Sequence, residues 1–430
     1  MMRCAVAGRE KQTMLFLAVL VAGLQAGSIC RGTEYGDVSV DTRVRFETAE
    51  IDGLEDADNL SIRLRLGYTT PEYHGFQGMI EGEFTGVADE NSYNAAGVHG
   101  DRDKAVIADP KNSQLDQGFL SYVYGGTTVK VGRQLITLDN HRFIGHVGWR
   151  QNRQTYDAAS IENTSIENLS LSYAYVDRVV RIFGSDAPES GSNAEEADSE
   201  SHLIHVSYEP CEAATITAYA YLLDLEDIPA GLSSDSYGII AKGSAPLGDD
   251  ARVGFRAEVA VQEDAGDNPI DYDAEYYHLQ VDGSFKGLLA DAGYELLGAD
   301  RTSAVDEDGA PVFASFKTPL ATLHKFNGFA DRFLVTPDKG LEDVYVMLGY
   351  KFSIPKLGGL TAKVWYHDFS SDEGSDDLGE EWDAVLVKPF ELETVPGAFK
   401  AVAKYAAYSA GDVGADTDRF TLELNYGVVF

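Results

Sequence analysis

The sequence predicts an all-β chain closed into a transmembrane antiparallel β-barrel of about eighteen strands, with sixteen as the neighbouring even count. Three observations predict it. Apolar and polar residues alternate through segment after segment from Gly36 to Phe430, the connectors between segments are alternately short and long, and the final residue is aromatic.

The last segment shows the alternation most plainly. Phe420, Leu422, Leu424, Tyr426, Val428 and Phe430 share one parity, while Arg419, Thr421, Glu423, Asn425 and Gly427 hold the other. Successive side chains point to opposite faces of a strand, so the segment has one greasy face and one wet face. Leu60, Ile62, Leu64, Leu66 and Tyr68 repeat the pattern against Ser61, Arg63, Arg65 and Gly67, as do Val253, Phe255, Ala257, Val259 and Val261 against Arg252, Arg256 and Glu258. An Arg or Lys facing lipid near the midplane costs roughly 2–4 kcal/mol, so the charged parity is expected to face a watery interior.

Domain organisation follows from the two ends of this pattern. Arg3, Arg9 and Lys11 precede the apolar run Met14 to Ala22, and Leu24-Gln25-Ala26 offers small-residue cleavage spacing, so residues 1–26 read as a secretory signal peptide. That run is about ten residues, half of the roughly twenty a membrane-spanning helix needs. Residues 27–35 read as a short periplasmic segment. No Pro-, Ser- or Gly-rich linker divides the chain after Tyr35, so residues 36–430 read as one barrel.

Strands are expected to begin near Gly36, Asn59, Phe76, Leu115, Thr127, Gln154, Asn168, Ser201, Ala213, Asp235, Ala251, Tyr272, Gly287, Leu341, Gly359, Glu380, Gly397 and Asp416. An even count puts both barrel termini in the periplasm. The odd connectors then face outward and include the long ones, Val87 to Gln114, Gln134 to Arg153, Asp177 to Glu200 and Gly298 to Gly340. The even ones are short, as at Tyr124-Gly125-Gly126 and Glu209-Pro210-Cys211-Glu212. A soluble sandwich has no reason to sort its connectors by side. Tyr68, Tyr122, Tyr124, Tyr173, Tyr175, Tyr219, Tyr221, Tyr350 and Tyr366 lie near predicted strand ends, where amphipathic rings favour the headgroup layer.

The chain carries 34 bases against 70 acids, a net charge of −36, which removes nucleic acid as a partner. The acids crowd into predicted outer connectors such as Asp186 to Glu200, whereas the strands' polar parity carries Arg43, Arg45, Arg63, Arg65, Lys130, Arg252, Arg256, Lys351, Lys363, Lys400, Lys404 and Arg419. An acidic crown over a more basic lumen is expected. Cys4 falls in the signal peptide, and the sequence leaves open whether Cys30 and Cys211 pair, because nothing in it sets their separation.

The segment Gly132 to Asp157 is the most distinctive. Arg133, Arg142, Arg150 and Arg153 fall within one long outer connector and its flanks, and glycines at 145 and 148 permit tight folding. A loop of this length can turn inward and present guanidinium groups, which take carboxylates in bidentate fashion. The candidate anion-binding set is therefore Arg133, Arg142, Arg150 and Arg153 at a constriction, Arg43, Arg45, Arg63, Arg65, Arg252 and Arg256 on the wall, and Lys317, Lys325 and Arg332 from the seventh outer loop. The competing reading is that these bases pair with Asp139, Asp157 and wall acids and pin the loop. His141, His146 and His324 read as loop hydrogen-bonding residues, since no tight His and carboxylate spacing accompanies them, so no metal or other cofactor is expected.

Gly132-Arg133-Gln134, Arg142-Phe143-Ile144-Gly145, Gly148-Trp149-Arg150-Gln151-Asn152 and Gln154-Thr155-Tyr156-Asp157 resemble the alginate-export family of bacterial outer-membrane barrels, as does the block Thr318 to Arg332. Terminal Phe430 resembles the signature by which the outer-membrane assembly machinery recognises barrels. The resemblance implies an eighteen-stranded, monomeric, porin-like channel in the outer membrane, its basic lumen conducting an anionic polysaccharide or smaller anionic solutes.

A conduit also follows from geometry, because sixteen to eighteen strands enclose an interior too wide for side chains to fill. A general small-solute porin is the alternative. An outer-membrane hydrolase is a further one, but it needs a nucleophile and a His on neighbouring inward positions, and His205 and His278 have the wrong parity or no evident Ser partner, so no enzymatic activity is expected. Only about ten residues separate the expected cleavage site from the first strand, too few for a plug domain, which favours passive conduction.

Overall fold

The computed structural model describes residues 35–305, 310–354 and 357–430; the expected signal peptide and Cys30 lie outside them. The strands are β1 (Asp37–Ile51), β2 (Ala57–Thr69), β3 (Phe76–Val87), β4 (Asn112–Tyr124), β5 (Thr127–Gln134), β6 (Thr155–Asn163), β7 (Leu169–Val180), β8 (Glu196–Cys211), β9 (Ala214–Leu223), β10 (Ser234–Pro246), β11 (Ala251–Asp264), β12 (Asp273–Phe285), β13 (Leu288–Leu297), β14 (Ala299–Val305), β15 (Pro311–Ser315), β16 (Leu341–Lys351), β17 (Thr361–Ser370), β18 (Asp377–Leu392), β19 (Val395–Ser409) and β20 (Thr417–Val429). Eighteen form one sheet in which each pairs antiparallel with the next, β13 pairs with β16, and β20 pairs with β1. That last pairing sets Val44 opposite Leu424 and Phe46 opposite Leu422, and it closes the barrel. The remaining two, β14 and β15, form a separate hairpin inside the seventh outer loop, within the stretch expected as connector.

The alternation predicted from sequence is turned inside out relative to a soluble protein. Leu120, Val281 and Leu348 on the outer parity are 55%, 58% and 64% exposed, while Arg45, Glu47, Arg63 and Glu83 on the inner parity are 2% or less. A charged wall is buried because outer loops fold down into the bore and cover it. Outer loop 2 (88–111) contributes a small packed unit around Tyr93, Ala105 and Ile107. Outer loop 3 (135–154) and outer loop 7 (298–340) fill the middle.

Register departs from simple alternation at several places in the barrel. Shifts at Glu81/Gly82, Asp157/Ala158 and Val176/Arg178 mark β-bulges in β4, β7 and β8, which re-aim side chains near the outer rim. Tyr219 and Tyr221, expected in the aromatic girdle, face inward instead and are 5% and 2% exposed. They share the parity of the buried Thr217 and Leu223, and they pack against loop 3 rather than headgroups. The periplasmic end does carry outward rings in contact, Phe76 with Tyr122 at 4.5 Å and Phe399 with Tyr426 at 4.8 Å between centroids.

If lipid wraps the outer parity, Leu424→Arg, in the body of β20, lowers the unfolding free energy by about 2–4 kcal/mol, whereas Leu288→Arg, at the periplasmic end of β13, costs no more than about 1 kcal/mol. Urea titration of the protein folded into bilayers measures both. Equal costs at the two positions would contradict the assigned depth.

Candidate functional site

Loop 3 is anchored by one apolar and one polar device. Phe143 inserts among Tyr219, Tyr221, Tyr276 and Phe316, with ring centroids 5.2, 5.9, 5.3 and 5.6 Å away. Further along, its backbone turns its carbonyls to the wall. Arg43 donates to the oxygens of Gly148, Trp149 and Arg150 at 3.2, 3.3 and 2.9 Å, and Arg45 donates to Trp149 O at 2.8 Å. Two of the candidate wall arginines thus satisfy the orphan carbonyls of an inserted loop, which a dry interior requires.

Loop 7 lies directly on loop 3. Gly145 N donates to Leu320 O at 2.8 Å and Thr322 N to His141 O at 3.0 Å. A Cβ at position 145 would sit 2.3 Å from Thr322 Oγ1, so only glycine permits this approach. The far side of loop 7 is held by two wall carboxylates of β18: Phe329 N donates to Asp383 at 3.1 Å and Ala330 N to Glu381 at 2.7 Å. Gly328 has φ +85° there, and a Cβ would meet Glu381 Oε2 at 2.3 Å.

Where the two loops meet the wall, an ionic seam crosses the bore. Arg150 of loop 3 reaches Glu47 on β1 at 3.0 Å, Asp109 of loop 2 at 3.7 Å, and Asp331 of loop 7. Arg45 joins Glu47 at 2.8 Å and Asp109 at 3.3 Å, and Arg419 on β20 joins Glu47 at 3.2 Å. Arg150 Nε donates to His324 Nε2 at 3.1 Å, which leaves His324 Nδ1–H to donate to Asp331 at 2.5 Å and assigns the neutral ring. Burial lowers the His324 pKa, and Asp331 opposes this only in part. Burial raises the Asp331 carboxyl, but His324 and Arg150 outweigh it and hold it far below the usual range. Beside the seam Arg142 pairs with Glu295 at 2.7 Å and binds Asn327 at 3.0 Å.

Two vestibules lie on either side. The outer one is a cavity of about 830 Å³ between loops 2, 3, 7 and outer loop 4 (181–195), and the periplasmic one, of about 440 Å³, is bounded by loops 3 and 7 and the wall from β12 to β18. At the seam itself, among Arg45, Glu47, Trp149, Arg150, Phe329, Asp331, Lys404 and Arg419, the gap is about 10 Å³.

The thirteen bases singled out from sequence fall into distinct places. Arg43, Arg45, Arg142 and Arg150 meet around the seam. Arg65 pairs with Glu83 at 2.6 Å, Arg153 with Glu81 and Asp116, and Arg63 with Asp41, all on the wall next to loop 3. Arg256 pairs with Glu258 at 2.5 Å, and Lys325 donates to Asn140 O at 2.8 Å. Arg252 stands exposed at the periplasmic end, 3.7 Å from Asp282. Lys317 is tied to Thr336 O at 2.8 Å within loop 7, and Arg332 lies over the Tyr408 ring at 5.6 Å. Arg133 corrects the expectation. It shares the parity of the exposed Val131, faces out of the barrel, and pairs with Asp157 at 2.7 Å. Strict alternation from Val129 and Val131 was sufficient to show this. Asp109 and Asp331 of the seam, and Glu381 and Asp383 beneath loop 7, gave no signal in the sequence because the arginines and amides they meet lie in elements distant in sequence. Among the described residues no group of three or more His, Cys, Asp and Glu is arranged to hold a metal ion.

Comparison with known proteins places this geometry. The family model described as alginate export matches residues 35–296, more than half of the chain. No curated protein matches. Similar solved structures include Acinetobacter baumannii OccAB4, at 15% identity and TM-score 0.66, covering 92% of this chain and 98% of that one. Pseudomonas aeruginosa OpdK with vanillate has 14% identity and TM-score 0.67, with 93% and 100% covered, and P. aeruginosa OpdL has 15% identity and TM-score 0.64, with 92% and 99% covered.

The seam generates two expectations. Arg150→Met leaves Glu47, Asp109 and Asp331 facing one another with too little positive charge, a loss of about 3–5 kcal/mol for a buried pair stripped of one partner. Protease sensitivity of loop 7 and single-channel conductance should both rise; unchanged values would show that the seam does not hold the loops. The second concerns pH. His324 released from the seam returns to an ordinary pKa of about 6.5, above its value in place, so opening takes up a proton and acidification below about 6.5 favours the open arrangement. Asp331 acts in the same direction only in stronger acid, its contribution being complete above about 3.9 and lost as pH falls toward its depressed value. Conductance should rise between pH 7 and pH 5, and His324→Gln should flatten that rise.

Proposed function

The chain belongs to the alginate-export family of outer-membrane β-barrels, and from that membership we propose that this porin-like channel of the bacterial outer membrane conducts passively and prefers anions. The preference is set at the periplasmic mouth, not at the loop-filled waist. The observation that carries this reading is a set of lysines on inward positions at the periplasmic ends of the strands that enter no ion pair among the described residues, Lys130, Lys351, Lys363 and Lys400, standing among the inward acids Asp37, Asp41, Glu162, Glu209, Asp282 and Asp291. Lys351 and Lys400 are exposed, and Lys130 and Lys363 lie over the rings of Phe119 and Trp365 at 5.2 and 5.5 Å rather than on carboxylates. Bases of this kind act on mobile ions through a field focused by low-dielectric walls. The guanidiniums of the waist are already matched by carboxylates and add little net field.

Small anionic solutes fit the waist better than a polymer does, since loops 3 and 7 fill the middle of the bore and the space left at the seam is about 10 Å³. A specific observation keeps polysaccharide conduction as the second reading. Trp149, Phe329 and Trp365 form a file of rings 5.1 and 5.4 Å apart in the periplasmic vestibule, and Lys404 stands 3.4 Å over Trp149. Pyranose rings stack on such surfaces, and lysines beside them suit uronate carboxylates.

Reversal potentials in graded potassium chloride test the first reading: the unmodified channel should favour chloride, and the combined Lys351→Glu, Lys363→Glu and Lys400→Glu substitutions should shift selectivity toward potassium. Cation preference in the unmodified channel would sink it. Periplasmic-side block by oligouronate, weakened by Trp365→Ala, would support the polymer reading, and indifference to oligouronate would remove it.

A further inference from the structure

Arg181, at the start of loop 4, has an environment unlike that of the seam arginines. It lines the outer vestibule, donates to the backbone oxygens of Ser192 at 2.9 Å and Ala194 at 3.5 Å, and lies 4.8 Å over the Phe183 ring. Each seam arginine faces carboxylates; this one faces carbonyls and an aromatic ring. Burial lowers its pKa to about 10, with no carboxylate acting to raise it. Arg181 is half-buried, and its guanidinium stands at the vestibule wall with backbone oxygens and a ring as its partners, so it can take a carboxylate from a ligand.

The surroundings indicate what the rest of that ligand is. Val106, Ile182, Phe183, Pro319, Leu323 and Leu334 give the vestibule a largely apolar lining. Its volume of about 830 Å³ lies in the ordinary range for small-molecule sites, roughly 300–1,000 Å³. A polyuronate is polar on every side and would leave this lining wet, whereas an acid with an aromatic or aliphatic body covers it and releases water. We propose that the outer vestibule is a binding site for carboxylates with an apolar body, the carboxylate on the Arg181 guanidinium and the body against the apolar walls. This rests on the channel reading and deepens it by naming a ligand class and the outer side as the side of capture. Val147 and His324 also line the site, so a bound acid lies beside the ionic seam.

The experiment uses the full chain in planar bilayers, with benzoate, benzamide or acetate added to the outer side. Benzoate should block the current, and benzamide, lacking the charge, and acetate, lacking the body, should each need about tenfold more. Arg181→Met should raise the half-blocking benzoate concentration by about tenfold, with Arg181→Lys recovering part of the loss. Val335 is 69% exposed at the edge of the vestibule, so Val335→Glu repels a carboxylate without altering packing, and it decides the matter if Arg181→Met does not insert. Equal block by benzoate and benzamide, block unaltered in the variants, or block only from the periplasmic side would overturn the proposal. Loss of chloride preference with benzoate block intact would instead overturn the reading of the periplasmic mouth and leave this site standing.

Discussion

Hydrocarbon around one parity of every strand obliges the other parity to carry the polar half of the sequence, and eighteen strands enclose more space than wall side chains can fill. Everything inside this barrel answers those two constraints together. An inserted loop is the only available filling, and an inserted loop brings backbone carbonyls and amides that need partners away from bulk water. Arg43 and Arg45 of β1 thus meet backbone carbonyls of loop 3, and Glu381 and Asp383 of β18 meet backbone amides of loop 7.

Charge in the waist is balanced although the chain as a whole is strongly acidic. A buried guanidinium is tolerated only with carboxylates in contact, and Arg150 gathers its partners from three elements: Glu47 on the wall, Asp109 from loop 2 and Asp331 from loop 7. One side chain therefore couples the positions of three separate segments. Phe143 makes the complementary apolar anchor on the opposite wall, so loop 3 is clamped at both ends of its span.

The fold was legible because it depends on period alone. Each of the eighteen expected strand starts lies within about five residues of an observed barrel strand, the largest offsets falling at bulged or glycine-flanked ends where local pattern changes phase. The bases of the site were legible for the same reason, being charges on a polar parity or in a distinctive loop. Their partners were not, since nothing local ties Arg150 to residues 103 and 181 positions away. Arg133 and the Tyr219–Tyr221 pair were misplaced by reading composition where parity already gave the answer. Arg181 escaped notice because its distinguishing property is the lack of an acid beside it, and that is a property of the folded arrangement.

A loop-filled waist between two unlike vestibules separates tasks that a uniform pore would combine. The periplasmic mouth carries lysines standing in water and on aromatic faces, which act on ions at a distance and hold none tightly. The outer vestibule is apolar, with a cation resting on carbonyls, and such a place acts at contact range and on shape. His324 lies at the junction of loops 3 and 7, lining the outer vestibule and bonding Arg150 and Asp331 with its ring nitrogens. A solute bound above His324 and a proton arriving at Nε2 would perturb the same hydrogen bond. If an acid binds there, its occupancy and the loosening of the seam meet at one imidazole, and linkage then makes each shift the other's equilibrium by the same factor.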